Sequence, residues 1–370
     1  MIPRPTPQIA AVPASTPFVA PEALARSVGR DSLVRLGANE SAFGPSPKAI
    51  AAMQSGLGRT SWYGDPESRD LRAALALERH CSLDNIVVGS GIDDLLGLVV
   101  RTYLGPGATA LATRGTYPTF AYHVIGYGGT MATVDARSDG SVDIDGMIER
   151  SQILSPAIVY LANPDNPSGT MAAAVDVERL RAALPAGTLL VLDEAYVDFI
   201  GDAGVLADGI FENTIRMRTF SKAHGLAGAR IAYAIAAPEI IATFEKIRLH
   251  FGVNRSAQIG ALAALNDRAY TTYVVGEVAR GRAAYVALGQ KLGVATLASS
   301  TNFVCFRLGS RAEAEALVAA LLERGIFVRK PGAPPIDDCI RVTVGTPSER
   351  AAFGDAFAEA LDALREKATR

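Results

Sequence analysis

Cysteine is scarce in this chain. Cys81, Cys305 and Cys339 are the only three among 370 residues, far apart and without metal or redox spacing. That excludes a disulfide framework and points to a reducing compartment. Charge of one sign is lacking too: 36 Lys and Arg stand against 38 Asp and Glu. Such balance leaves no electrostatic footprint for nucleic acid or an anionic membrane. No window offers the ~18 uninterrupted apolar residues of a membrane-spanning helix. The longest candidate, Leu95 to Leu104, is short and broken by Arg101. Pro3, Pro5, Pro7, Pro13, Pro17 and Pro21 interrupt any signal-peptide core near the start, so this stretch reads as an irregular arm. A soluble, cytoplasmic protein is expected.

Apolar residues, by contrast, are plentiful at 49%. At ~150 residues per domain the length suggests two or three domains, or one large domain with a smaller one appended. The middle of the chain alternates between two periods. Short β-branched and apolar runs read as buried strands: Asn85–Val88, Ala108–Thr113, Thr130–Val134, Ala157–Ala162, Thr188–Leu192, Thr214–Thr219 and Ile231–Ala236. Amphipathic segments such as Asp93–Tyr103, Tyr117–Gly126, Asp145–Ser151 and Val175–Ala183 lie between them at helical spacing. Strands that are apolar throughout and alternate with helices describe a sheet covered on both faces, hence an α/β architecture. Asp65-Pro66-Glu67-Ser68 is expected to open a helix with Pro66 in its first turn, and Ser256 to open another at Ala257. From about Asn266 the texture becomes a long helix (Tyr270–Leu292) followed by strand, helix, two strands and a terminal helix, a compact α+β unit. The expected division is an N-terminal arm over 1–48 packing with the small domain, a large domain over 49–265 and a small domain over 266–370.

Sites in open α/β sheets collect at the carboxyl ends of strands. Four segments stand there. Gly89-Ser90-Gly91-Ile92-Asp93-Asp94 opens a helix, where glycines and amide N–H groups suit an anion such as phosphate; alone it is often only a turn. Asn163-Pro164-Asp165-Asn166-Pro167-Ser168-Gly169 forms a sharply defined loop that can aim an asparagine into the crevice or simply stiffen a connection. Asp193-Glu194-Ala195-Tyr196 follows four apolar residues, so its carboxylate needs a cation or proton donor, and a buried ion pair would serve equally. No Gly-Lys-Ser/Thr loop occurs upstream, which disfavours ATP hydrolysis. Last comes Thr219-Phe220-Ser221-Lys222, with Arg230 eight residues beyond the lysine. A nucleophilic lysine needs a low-dielectric or cationic neighbourhood; a snorkelling lysine is the plainer reading of this segment taken alone.

Together the four describe one chemistry. An aldehyde cofactor with a phosphate and a pyridine ring needs an amine for the Schiff base and a carboxylate for the ring nitrogen. It also needs a donor to the ring oxygen, and a cup of backbone N–H groups, hydroxyls and an arginine for the phosphate. Lys222, Asp193, Asn166 with Tyr196, and the Gly91 loop with Thr219, Ser221 and Arg230 would supply these in that order.

From about Val34 to Glu349 the sequence resembles the fold-type I pyridoxal-phosphate aminotransferases, most of all their histidinol-phosphate aminotransferase branch. The resemblance rests on Leu36-Gly37-Ala38-Asn39-Glu40, Phe43-Gly44-Pro45-Ser46-Pro47, Tyr63-Gly64-Asp65-Pro66, Asn163–Gly169, Asp193–Tyr196, the Lys222 segment, Asn302-Phe303, Gly325–Arg329 and Ile340–Thr343. It implies a large domain with a mixed, mostly parallel sheet plus a smaller α+β domain. Pyridoxal 5'-phosphate would be the cofactor, with a small-molecule amino donor and a 2-oxo acid exchanging an amino group by a ping-pong Schiff-base cycle, and glutamate/2-oxoglutarate serving as one pair. By the same resemblance Lys222 carries the Schiff base and moves the proton, Asp193 pairs with the pyridinium, and Tyr117 stacks on the ring. Gly91, Ile92 and Asp93 belong to the phosphate end, and Tyr63 reaches a neighbouring subunit's phosphate, which implies a homodimer with shared sites. Arg341, Arg329, Asn39 and Phe18 are the implied substrate residues. Two departures bear on the substrate: Pro17-Phe18-Val19 stands where the branch has an arm tyrosine, and Gly252-Val253-Asn254 replaces its Asn-Val-Asn. An aromatic or other amino acid aminotransferase and a cofactor-dependent decarboxylase are the alternatives, while His224 and His250 read as structural. No metal is expected.

Overall fold

The apolar runs of the sequence pair into a seven-stranded sheet in the computed structural model of the chain, which describes residues 2–12, 19–201, 206 and 209–368. With β1 at Val34–Arg35, the strands of this sheet are β2 (Ile86–Gly89), β3 (Thr109–Thr113), β4 (Thr130–Val134), β5 (Ile158–Ala162), β6 (Leu189–Asp193), β7 (Thr214–Thr219) and β8 (Ala232–Ile235). Their order is β2-β8-β7-β6-β5-β3-β4. Only β8 runs against its neighbours; the other pairings are parallel. Every residue of β5, β6, β7 and β8 is buried, as strands covered on both faces require.

Alternation within each strand divides two cores. Ala110, Ile158, Tyr160 and Val191 face Leu95, Val99, Phe120 and Val124 of the helices Ile92–Tyr103 and Pro118–Gly126. Leu111, Val159, Leu161 and Leu190 face Met147, Val177 and Leu180 of the helices Ile144–Leu154 and Ala174–Ala183. Helices covering both faces leave the carboxyl edge of the parallel strands as the open crevice.

The C-terminal part builds a three-stranded antiparallel sheet, β12-β10-β9, from β9 (Ala295–Thr296), β10 (Phe303–Arg307) and β12 (Cys339–Thr343). Phe306, Phe353, Phe357 and Tyr285 pack its core, with ring centroids 5.1–5.8 Å apart. β1 pairs in parallel with β11 (Ile326–Phe327), so Val34 and Arg35 join the C-terminal part and carry the following loop across the crevice.

Local chemistry moves several starts. The arm, expected to be irregular, contains short helices at Pro7–Ala11 and Pro21–Ser27, each opened by a proline whose missing N–H costs nothing there. Pro66 lies outside its helix, which begins at Arg69; the Asp65 carboxylate accepts from the N–H groups of Glu67 (3.0 Å) and Arg69 (2.7 Å). The helix Arg255–Leu265 is capped by Asn254, whose side chain accepts from Ala257 N at 2.8 Å, in place of Ser256. Among the described residues no helix is long and apolar enough to cross a membrane.

Candidate active site

The strand ends converge on a cavity of about 310 Å³. Ile92 and Asp93 line it after β2, Tyr117 after β3, Asn166 after β5, Asp193 and Tyr196 at β6, Thr219 at the end of β7, and Ser221, Lys222 and Arg230 after it. Ten of the residues singled out from sequence therefore share one space. Glu40 and Ala38 reach it from the loop after β1.

Lys222 is placed by a close approach of backbones. Gly225, at φ +70°, lies against the Gly44 carbonyl, where an added Cβ would come within 2.2 Å of the oxygen. Lys222 Nζ donates to the Asn39 carbonyl at 3.2 Å and lies 5.5 Å from the Tyr196 ring centroid. Burial, with the positive charge of Arg341, brings its pKa down to about 8. A sizeable neutral fraction near physiological pH makes this amine a competent nucleophile.

Asp193 is the opposite case. It is 4% exposed, and burial pushes its carboxyl up to about 6 against the pull of two hydrogen bonds. Those come from the Tyr160 hydroxyl (2.8 Å) and the Ala195 N–H (3.0 Å). A buried carboxylate facing a cavity, with no ion pair among the described residues, suits a protonated ring nitrogen. Glu194, the next residue, turns the other way into an ion cluster, at 2.8 Å from both Arg216 Nη2 and Arg218 Nε.

The anion end lies at the start of the helix Ile92–Tyr103. Gly91 sits at φ +95°, and a Cβ there would come within 2.4 Å of Arg230 Nη2. Glycine therefore lets the guanidinium close over the helix N-terminus, with Ser221 and Thr219 hydroxyls 2.9 Å apart beside it. Lysine, isolated carboxylate and anion cup fit a phosphorylated pyridine aldehyde. The Tyr117 hydroxyl donates to Asp93 Oδ1 at 2.7 Å, leaving the ring against the cavity.

The predicted substrate residues divide. Arg341 donates to Asn166 Oδ1 and, at 3.0 Å, to the Gly37 carbonyl, while its Nε has no hydrogen-bond partner among the described residues. Burial lowers its pKa. Arg329 bridges to Arg341 through the backbone and stacks 5.5 Å over the Phe327 ring. Asn39, expected at the substrate, is 2% exposed and spends its amide on Tyr196, 2.9 Å away. Tyr63 is outside this chain's cavity, 77% exposed and packed on Phe251 with centroids 4.7 Å apart. Phe18 lies outside the described residues. His224 packs on Phe220 and meets Thr271 Oγ1 at 3.3 Å, away from the cavity.

Sequence reasoning missed Tyr160 and Glu40. Tyr160 lies mid-strand, where an aromatic reads as core; Glu40 forms part of the Asn39-Glu40 motif but joins the cavity only through the β1–β11 pairing. Asp165, buried and accepting from Thr116 Oγ1 (2.9 Å) and Ser168 Oγ (2.7 Å), explains why its loop is so sharply built. Among the described residues no group of His, Cys, Asp or Glu could hold a metal ion.

A family model described as aminotransferase class I and II matches residues 31–357. The chain belongs to that family, and it is an aminotransferase. Histidinol-phosphate aminotransferase from Roseiflexus castenholzii is 35% identical over 365 residues, covering 95% of this chain and 97% of its own length. Histidinol-phosphate aminotransferase from Sinorhizobium meliloti, solved in complex with pyridoxal-5'-phosphate, is 41% identical with a TM-score of 0.94, over 98% of this chain and 99% of that one. L-threonine-O-3-phosphate decarboxylase from Porphyromonas gingivalis, 22% identical with a TM-score of 0.75 over 88% of this chain and 99% of that one, shares the fold alone.

Proposed function

We propose that this aminotransferase exchanges an amino group between histidinol phosphate or its 2-oxo counterpart and the glutamate/2-oxoglutarate pair. The carrying observation is the pairing of Arg341 with Asn166 beside Lys222, with Arg329 bridged to Arg341 alongside. One guanidinium group close enough to act on the amine, with a second paired to it through the backbone, suits substrates that bear a phosphate in one half-reaction and carboxylates in the other. Relatives named for histidinol phosphate support the same substrate class.

The cofactor is pyridoxal 5'-phosphate, which supplies an aldehyde for imine formation and a ring that accepts electron density when a Cα–H bond breaks. Lys222 Nζ, partly neutral, takes the proton from the substrate Cα and hands it back. Asp193 would hold a proton at the ring nitrogen, and Asn166 and Tyr196 would donate to the ring oxygen. Tyr117 would cover one ring face. The Gly91 N-terminus, Ser221, Thr219 and Arg230 would hold the phosphate. The proposal includes a homodimer: Trp62, Tyr63, Leu249 and Phe251 are all more than half exposed, and a second copy covering them would carry Tyr63 toward its partner's site. It also includes a cytoplasmic location, supported by the scarcity and wide spacing of the three cysteines.

The test is a panel with 2-oxoglutarate as acceptor and histidinol phosphate or phenylalanine as donor. Arg329→Ala is expected to cost the phosphorylated donor roughly 10–100-fold in kcat/KM and the aromatic one far less. Equal losses, or carbon dioxide released from phenylalanine in place of its 2-oxo acid, would reject the reading.

A further inference from the structure

We infer that Tyr160 is a positioning residue of the amino-transfer site: its hydroxyl fixes the Asp193 carboxylate so that the proton stays on the ring nitrogen facing it. This rests on the reading of Asp193 as the partner of the cofactor ring.

Tyr160 lies in the middle of β5 with 0% exposure, its ring stacked on Phe120 at 4.7 Å and 16°. A phenol so deep in an apolar sheet requires an acceptor, and Asp193 Oδ2 provides it at 2.8 Å. Burial and the neighbouring carboxylate hold the phenol well above its ordinary range, so this hydroxyl stays protonated and serves Asp193 as a donor only. Because Ala195 N–H occupies Oδ1, both carboxylate oxygens are tied and the group cannot rotate.

The consequence is electronic as well as geometric. A carboxylate that accepts more hydrogen bonds is less basic. The proton shared between Asp193 and a pyridine nitrogen therefore stays with the nitrogen while the Tyr160 hydroxyl is present. Without it the carboxylate gains basicity, draws the proton back, and leaves a ring that is a weaker electron acceptor. The stacked ring itself plays no part in this.

The experiment uses holoenzyme reconstituted with pyridoxal phosphate carrying ¹⁵N in its ring and reads the nitrogen shift by NMR. In Tyr160→Phe the shift is expected to move toward unprotonated pyridine, with kcat down by roughly 5–50-fold and KM within about twofold. Phe120→Leu disturbs the same stack but keeps the hydroxyl, and its shift is expected to match wild type. Should Tyr160→Phe fail to fold, p-aminophenylalanine at position 160, a weaker donor of the same shape, is expected to give a smaller shift in the same direction. An unchanged shift in whichever variant folds overturns the inference, as does an equal shift in Phe120→Leu. Wild-type protein that binds no pyridoxal phosphate would instead overturn the cofactor reading, and this inference with it.

Discussion

The side-chain amide of Asn39 donates to the hydroxyl of Tyr196 at 2.9 Å, tying the loop after β1 to the end of β6. With its oxygen already accepting, Tyr196 has its own proton free to point into the cavity that it lines. Asn39 holds φ +55°, a conformation that Asn and Asp tolerate better than most residues. Asn39→Asp thus keeps shape and backbone but reverses the bond, because a carboxylate can only accept. Tyr196 then donates to Asp, away from the cavity. We expect kcat to fall at least ~10-fold in steady-state assays while the far-UV spectrum stays native. Unaltered kcat would show that the Tyr196 proton is not directed inward.

Lys222 should capture its cofactor with a pH dependence set by its surroundings. Only the neutral amine attacks an aldehyde. Burial and Arg341 bring the amine to about 8, so the neutral fraction grows as pH rises through 8 and saturates about a unit above it. Stopped-flow absorbance of apoenzyme mixed with pyridoxal phosphate should rise along that curve. A midpoint near 10.5, the ordinary lysine value, would mean that the pocket does not desolvate the amine.

Glu194 serves the scaffold beneath the site. Its side chain, 3% exposed, meets those of Arg216 and Arg218, which are 3% and 6% exposed. Burial pushes its carboxyl up, yet Arg218 and Arg216 outweigh that and hold it below the ordinary range. Glu194→Gln leaves two buried guanidinium groups without their counter-charge. Breaking a buried pair this way costs about 3–5 kcal/mol, read as a lower urea midpoint. A change under ~1 kcal/mol would mean that water or another acid reaches the arginines.

Much of this was legible in the chain because the site is built where strands end. A polar cluster after an apolar run marks a carboxyl edge, and Gly91, Asn166, Asp193 and Lys222 each follow one. Arg216 and Arg218 were legible in principle, as two charges at strand spacing inside a strand buried throughout, yet their partner Glu194 is joined to them only by the β6–β7 pairing. Tyr160 gave no local signal, since a mid-strand aromatic fits a core equally well. The β1–β11 pairing is two residues long and wholly non-local, beyond what periodicity can show. Helix starts went astray for a related reason: Asp65 and Asn254 cap from just outside their helices, so neighbouring Pro66 and Ser256 looked like the signal.

Asp193 should expose a conflict between stability and function. Its carboxyl is about 6 in the folded protein against 3.8 ordinarily, so the folded state holds its proton more tightly than the unfolded one. Between those values the folded state binds more protons, and stability falls as pH rises. The penalty is absent below 3.8, roughly half developed at pH 5 and complete above about 6. Two units of pKa correspond to about 3 kcal/mol. Asp193→Asn removes the titrating charge, so apoenzyme carrying it should be more stable than wild type by about 3 kcal/mol at pH 7.5 and by about half that at pH 5 in urea unfolding. The same variant should bind pyridoxal phosphate poorly and turn over little, having lost the charge that faces the ring nitrogen. A stability gain that does not change with pH would show that the buried acid does not titrate where burial places it.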